Sequence, residues 1–462
     1  MTEKEFSQAL RRGLGRAIVE LKNSKNKAAY RDIILRCCLR DISYDWQVEG
    51  TKGYYLYDAI LASEAQVYIE KAVIDKFLSR CPDGLFRQLA AILYCSAAEG
   101  SELAKNALHD KYNYFAAKKG RLVKSPSVDE GFQWDEVAFH LLYIDGFSTF
   151  KRYAEDVGEI RYKNPDNRKS YDGWYKHRAE GRFGKERIDD FFNSMYEKSY
   201  AIKALVDTIK VDDLSIEKER ERKEQEPTTV YDLSRAAKEA ATDKNPRFKM
   251  YRLLENKRRF ASKASDEEIL ELTHAALSEK NETVKALLLN QFWLKQIPLD
   301  DITPLMGYAQ SENLLLAEVA IDCLKGFKDK RLHDLAIQLL ITKGLGSFAL
   351  GLLIENYKKT DDVIIAELIK KASNIPHHVQ QDLRDIYRRR RSANAFPILL
   401  RVYNKGECSF CRFGIVEAMH HSHVLPDEIL SECLFDSYED TRKFAERLMK
   451  RGLQRAGKAN GS

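Results

Sequence analysis

The residues nearest in type to a metal site are Cys408-Ser409-Phe410-Cys411, followed by His420-His421-Ser422-His423. Two cysteines two apart with histidines downstream can ligate zinc. The spacing argues against these histidines, because only eight residues separate Cys411 from His420 and they read as continuous helix. On that helix Cys408, Cys411, Ile415, Ala418 and Met419 share one stripe, as core residues do. The expectation is packing, with no metal and no cofactor.

Basic clusters offer a second chemistry. Between Lys244 and Ala264 stand eight Lys or Arg against one Glu255. On a helix, Met250, Leu253, Leu254, Phe260, Ala261 and Ala264 form one face. Arg252, Arg259 and Lys263 line the opposite ridge, with Arg247, Lys249, Lys257 and Arg258 at its flanks. Arg384, Arg388 and Arg391 make a second ridge beside Arg389 and Arg390, backed by Val379, Leu383, Ile386 and Tyr387. Such ridges suit a phosphate backbone, which rewards charge spacing and not base identity. They equally suit a solvated face whose cations answer acidic ridges nearby.

A third cluster interleaves Lys163, Arg168, Lys169, Lys176, Arg178, Arg182, Lys185 and Arg187 with Tyr162, Tyr171, Trp174, Tyr175 and Phe183. Packing onto neighbouring helices accounts for these aromatics first and a protein interface second. Stacking with single-stranded nucleic acid comes third. Asp45, Trp46 and Glu49 before Gly50 have the types to seat a small active site, but more simply they end one helix while Thr51 caps the next. No Gly-rich phosphate loop, His-Glu-x-x-His, Gly-x-Ser-x-Gly or EF-hand loop occurs. An all-helical base-excision enzyme needs only a carboxylate and aromatics in a cleft, so this leaves one such route to catalysis.

The elements that must position these residues are helices. Glycine and proline number only 23 and 10 in 462 residues, and alternating Val/Ile/Thr runs are almost absent. The net charge of +6, from 76 basic and 70 acidic residues, does not by itself imply nucleic acid. Eight scattered cysteines, a charged start at Met1-Thr2-Glu3-Lys4-Glu5 and no long apolar run predict a cytoplasmic chain with reduced thiols and no membrane contact.

Organisation follows from composition. Residues 1–125 read as an N-terminal helical block, in which Ala98-Glu99-Gly100-Ser101-Glu102 supplies a turn glycine and a serine N-cap. Residues 126–214 form an irregular, aromatic- and basic-rich middle segment that ends in helix, with an apolar face near 134–147. The charge run in 215–245 marks a linker or a solvated helix end. Residues 246–455 hold regular helix pairs, and 456–462 a disordered tail. Proline marks recur at Ile297-Pro298, Ile375-Pro376 and Leu425-Pro426, where each is expected in the first turn of a helix. The first two lie 78 residues apart, twice 39, and a period near 40 suits helix-pair solenoids.

Within Tyr438–Leu448, Asp440, Thr441, Arg442, Ala445 and Leu448 resemble the second helix of a HEAT repeat. Asp329–Leu339 resembles it more loosely. The likeness spans roughly residues 266–452, and more weakly 60–125. It implies an all-α, HEAT/armadillo-like right-handed solenoid of the kind used as scaffolds or adaptors, and in a minority of cases for binding or repairing DNA. The reading that follows is a non-enzymatic cytosolic scaffold for a protein partner. The alternative is a nucleic-acid-binding solenoid, related to base repair, using Arg/Lys ridges. Candidate contact residues are Arg247, Arg252, Arg258, Arg259, Lys263, Arg384, Arg388, Arg391, Trp174 and Tyr175. An enzyme site in residues 126–190 is a third reading.

Overall fold

Every regular element in the computed structural model is a helix; among the described residues there is no strand. The structure describes residues 1–118, 128–164, 172–225, 228–253, 260, 264–341 and 346–459. Two compact units divide the chain. The first comprises Met1–Arg220, Cys408–Phe410 and Asp427–Ser462, and the second Glu221–Glu407 and Cys411–Pro426. Their first division, at residue 220, falls in the stretch of strongest composition shift, and the second unit is inserted into the first along the chain.

The first unit begins with α1 (Glu3–Arg12), α2 (Arg16–Asn23), α3 (Arg31–Cys38), the single turn α4 (Trp46–Glu49) and α5 (Gly53–Ala62). It continues through α6 (Gln66–Leu78), α7 (Asp83–Ala98), α8 (Glu102–Ala117), α9 (Val128–Ile144) and α10 (Phe147–Lys163). Then come α11 (Asp172–Phe183), α12 (Lys185–Met195) and α13 (Tyr200–Gln225). Local chemistry sets these boundaries. Thr2 and Glu5 form a capping box at the start of α1, and Gly13 ends it in the left-handed conformation at φ 75°. Gly100 (φ 100°) and Ser101, whose hydroxyl accepts from the Ala104 amide, make the expected turn between α7 and α8.

The middle segment is more regular than its punctuation suggests. Gly146 (φ 73°) and Gly184 (φ 85°) are helix boundaries, and the aromatics between them fill a core around Trp134, Phe150, Tyr153, Phe191 and Phe192. Ser125-Pro126 and Pro165 lie outside the described residues. Packing is close where Gly158 of α10 meets α13. A Cβ there would lie 2.1 Å from the Ala201 carbonyl oxygen. Gly158→Ala is therefore expected to cost about 1–3 kcal/mol through forced helix displacement, read from denaturant melts.

The second unit runs through α14 (Val230–Ala240), α15 (Pro246–Leu253), α16 (Asp266–Ser278), α17 (Glu282–Leu289), α18 (Thr303–Tyr308) and α19 (Leu314–Leu324). It continues with α20 (Lys330–Ile341), the short α21 (Gly346–Ala349) and α22 (Leu353–Asn356), α23 (Asp361–Lys371), α24 (His377–Arg389) and α25 (Ala395–Lys405). α26 (Ser409–His421) follows, and α27 (Asp427–Cys433) and α28 (Glu439–Ala459) return to the first unit. Pro376 is the N-cap residue of α24, and Pro426 immediately precedes α27, so each marks a helix start one residue before the first turn expected. Pro298 does not begin a helix. Asp301 instead accepts from the Thr303 amide and hydroxyl, and Pro304 takes the first turn of α18. A buried polar knot centres on Asp362, whose carboxylate accepts from the hydroxyls of Tyr357, Tyr387 and Ser392 at 2.8, 2.7 and 2.6 Å.

The C-terminal helices close the first unit instead of extending the second. Arg16 pairs with Glu432 at 2.9 Å, and the Ser437 amide donates to the Gly13 carbonyl at 2.9 Å. The approach requires glycine at position 15, where a Cβ would stand 1.8 Å from the Glu432 carbonyl oxygen.

Candidate functional site: an aromatic and guanidinium face

One turn of helix sets up the most distinctive surface of the first unit. Asp45 caps α4 by accepting from the Gln47 amide at 3.1 Å, and the Thr51 hydroxyl accepts from the Gly53 amide at 3.1 Å. The segment is thus a helix turn of its own, with Asp45 starting it instead of ending a helix and Lys52, not Thr51, at the N-cap of α5; α4 also separates two side chains. Glu49 turns inward and is fully buried, while Trp46 stays 45% exposed. The Glu49 carboxylate accepts from the Tyr44 and Asp45 amides, and from the Ser409 amide and hydroxyl at 2.8 and 2.7 Å. Lys52 lies 3.4 Å away. Burial pushes the Glu49 pKa up, but Lys52 and these donors outweigh it and hold the carboxyl below its ordinary value.

Trp46 is half of a sandwich. The Arg87 guanidinium from α7 sits 4.1 Å from the Trp46 ring centroid and 4.5 Å from that of Phe132 on α9. Glu136, one turn beyond Phe132, approaches Arg87 at 3.6 Å. With Trp46 half exposed, a cation–π contact of this kind is worth about 1 kcal/mol, and it restrains a side chain that otherwise samples many rotamers. The stripe continues along α9 through Phe139, His140 and Tyr143. Tyr94 stacks on His140 at 5.0 Å and meets Tyr54 and Tyr143 edge-on. Burial, then the nearby Cys95, Glu136, Tyr94 and Tyr143, push the Tyr54 phenol upward, so it stays protonated at neutral pH. Arg178 and Arg182 of α11 cover the Phe139 and Tyr143 rings at 5.1 and 4.5 Å. The result is a run of rings and guanidinium groups, with exposed Trp46 at the Arg87 end and Tyr54 against Tyr94.

The residues singled out from sequence fare differently. Tyr175 is 4% exposed, packed against Phe150 and Tyr153, and belongs to the core. That removes it from any contact surface, because an aromatic at the helix spacing of α11 was needed to close the interior. The Trp174 side chain, Arg258, Arg259 and Lys263 lie outside the described residues. Arg247 pairs with Glu318 at 3.3 Å, while Arg252 and Arg391 are exposed. Arg384 lies across Gly414 and makes a two-pronged bond to Asp385 at 2.8 and 3.1 Å. Arg388 meets Glu417 at 3.6 Å, and Arg389 and Arg390 both meet Glu355. The second ridge thus answers carboxylates of its own unit at most of its positions.

Cys408 and Cys411 are buried, as their stripe position implied. Sequence reasoning looked downstream for a histidine and passed over His377, whose Nδ1 lies 3.0 Å from the Cys411 Sγ. No signal in the sequence pairs Arg87 with Trp46, but Arg87 does stand out as a cation inside an otherwise apolar helix. No family model, curated protein or solved structure matches this chain.

Proposed function

We propose that the chain is a non-enzymatic binding scaffold of HEAT-like stacked helix pairs, acting in the cytoplasm and engaging a protein partner through the aromatic and guanidinium face of the first unit. The observation that carries this reading is the Trp46–Arg87–Phe132 sandwich, in which an exposed tryptophan and an ordered arginine stand together. Trp, Tyr and Arg dominate the residues on which protein interfaces depend. An arginine already held by its neighbours loses less freedom on binding. The ridges favour the alternative less, because phosphate binding draws on uncompensated cations. Arg247, Arg384 and Arg388 each face a carboxylate.

The test is affinity purification of the tagged chain from its native cells, with Trp46→Ala and Arg87→Ala variants alongside. Loss of about 2 kcal/mol at an interface centre corresponds to a roughly 30-fold weaker complex, so each variant should lose the partner that the parent retains in stoichiometric amount. Equal recovery by the parent and both variants would overturn the reading. Binding to DNA or RNA that weakens steeply between ~50 and ~200 mM salt would put the phosphate-backbone alternative in its place.

A further inference from the structure

We propose that Lys151, Arg182, Lys185 and Arg187 of the first unit form a docking patch for an acidic, Asp- or Glu-rich segment of a protein partner. This rests on the reading of the chain as a protein scaffold and names the chemistry its partner presents. Arg182 lies in the last turn of α11, Lys185 and Arg187 in the first turn of α12, and Lys151 in the second turn of α10. All four are exposed, and none forms an ion pair among the described residues. The neighbouring carboxylates are engaged elsewhere. Asp145 pairs with Lys105 and His109 at 3.0 and 2.9 Å, and Glu180 with Lys176 and His177.

Helix stability does not account for this placement. A cation in the first turn of a helix meets the positive end of its dipole, yet Lys185 and Arg187 hold two of the first three positions of α12. Aromatic rings order the charges instead. The Arg187 guanidinium lies 4.4 Å from the Phe147 centroid and 5.7 Å from that of Phe183. Arg182 lies 5.6 Å from the same Phe183 ring, and the Lys151 ammonium 5.4 Å from the same Phe147 ring. Phe147 and Phe183 meet edge-on at 5.4 Å, so three cations gather round one ring pair. Side chains ordered in this way lose less freedom on binding, and a guanidinium on a ring still offers its N–H fork to a carboxylate. Two features select a peptide over nucleic acid. The rings on which bases would stack already carry cations. The patch is also compact, whereas a phosphate backbone is tracked by cations spaced along its length.

The purified full chain should be titrated by fluorescence anisotropy with labelled oligoglutamate at ~50 and ~200 mM salt. The expected result is binding at the lower salt that weakens at the higher. An exposed ion pair is worth up to about fivefold in affinity, so Arg182→Gln together with Arg187→Gln should bind roughly 20-fold more weakly. Circular dichroism checks the fold of that double variant. If it does not fold, Lys185→Gln, whose side chain touches no ring, carries the test with an expected loss of about fivefold. Arg235→Gln, an exposed cation of the second unit, should bind as the parent does. No binding of oligoglutamate at the lower salt, or equal affinity in the parent and the folded variant, would overturn the patch. So would a single-stranded oligonucleotide of equal charge that binds more tightly than the peptide and is lost with the same arginines. The scaffold reading fails separately, on equal partner recovery by Trp46→Ala and Arg87→Ala, which leave these four cations in place.

Discussion

Glu49→Ala is expected to destabilise the first unit by about 3–5 kcal/mol, the cost of removing one partner of a buried, hydrogen-bonded charge pair. Lys52, only 2% exposed, would lose its carboxylate partner, and Ser409 would lose an acceptor for both its amide and its hydroxyl. Glu49→Gln should cost less, because the amide oxygen still accepts. The effect has a pH signature. The folded Glu49 pKa lies below the ordinary value of 4.5, so its stabilisation is fully present above that value. It is lost as pH falls through the lower folded value. Urea melts of the parent and the alanine variant should therefore differ most at neutral pH and converge in strong acid. A constant difference across that range, or one under about 1 kcal/mol, would refute the role given to Glu49.

Lys325→Met in the second unit should cost a comparable amount, about 3–5 kcal/mol at pH 8, and this penalty too should shrink as pH falls, through a carboxyl whose pKa is raised instead of lowered. Lys325 bridges Asp322 at 2.9 Å and Asp382 at 3.1 Å, and the Asp382 side chain is 5% exposed with its Oδ2 lacking a hydrogen-bond partner. Burial pushes the Asp382 pKa up to about 6 even with Lys325 in place. A carboxyl raised in this way takes up a proton on folding. Its contribution is fully present below the ordinary value of 3.8 and is lost as pH rises through about 6. Without the lysine the folded value climbs further, so the variant should suffer little at pH 5 and most at pH 8. Penalties equal at the two pH values would show that Asp382 is not the group left exposed to the loss.

The two variants mark where sequence reading stops. Helical periodicity, the Gly100-Ser101 turn and Pro376 were legible because each acts within a few residues of itself. The 126–190 stretch was misjudged for regularity, since proline and glycine signal a joint without telling a joint between helices from an irregular loop. Pro298 misled for a similar reason, because Asp301 and Pro304 compete for the same helix start a few residues on. The candidate face was legible only in part. Arg178 and Arg182 were recognised as basic residues among aromatics, but their partners Phe139 and Tyr143 lie on another helix. Glu49 meets Ser409 across 360 residues, and no local pattern encodes such a pairing. His377 and Cys411 likewise sit on helices whose adjacency only the fold supplies.

The insertion of one unit within the other sets a timetable for synthesis. Arg16 waits for Glu432 across 416 residues of chain, and Gly13 and Gly15 cannot be covered until α27 and the turn after it have been made. Domains tend to fold as they emerge from the ribosome. Pro426 is the last residue of the second unit, so once it has cleared the ribosome the second unit is complete while the first still lacks the segment behind it. The earliest helices translated are thus among the last to be sealed, so the surface around Gly13 and Gly15 stays open for nearly the whole of synthesis.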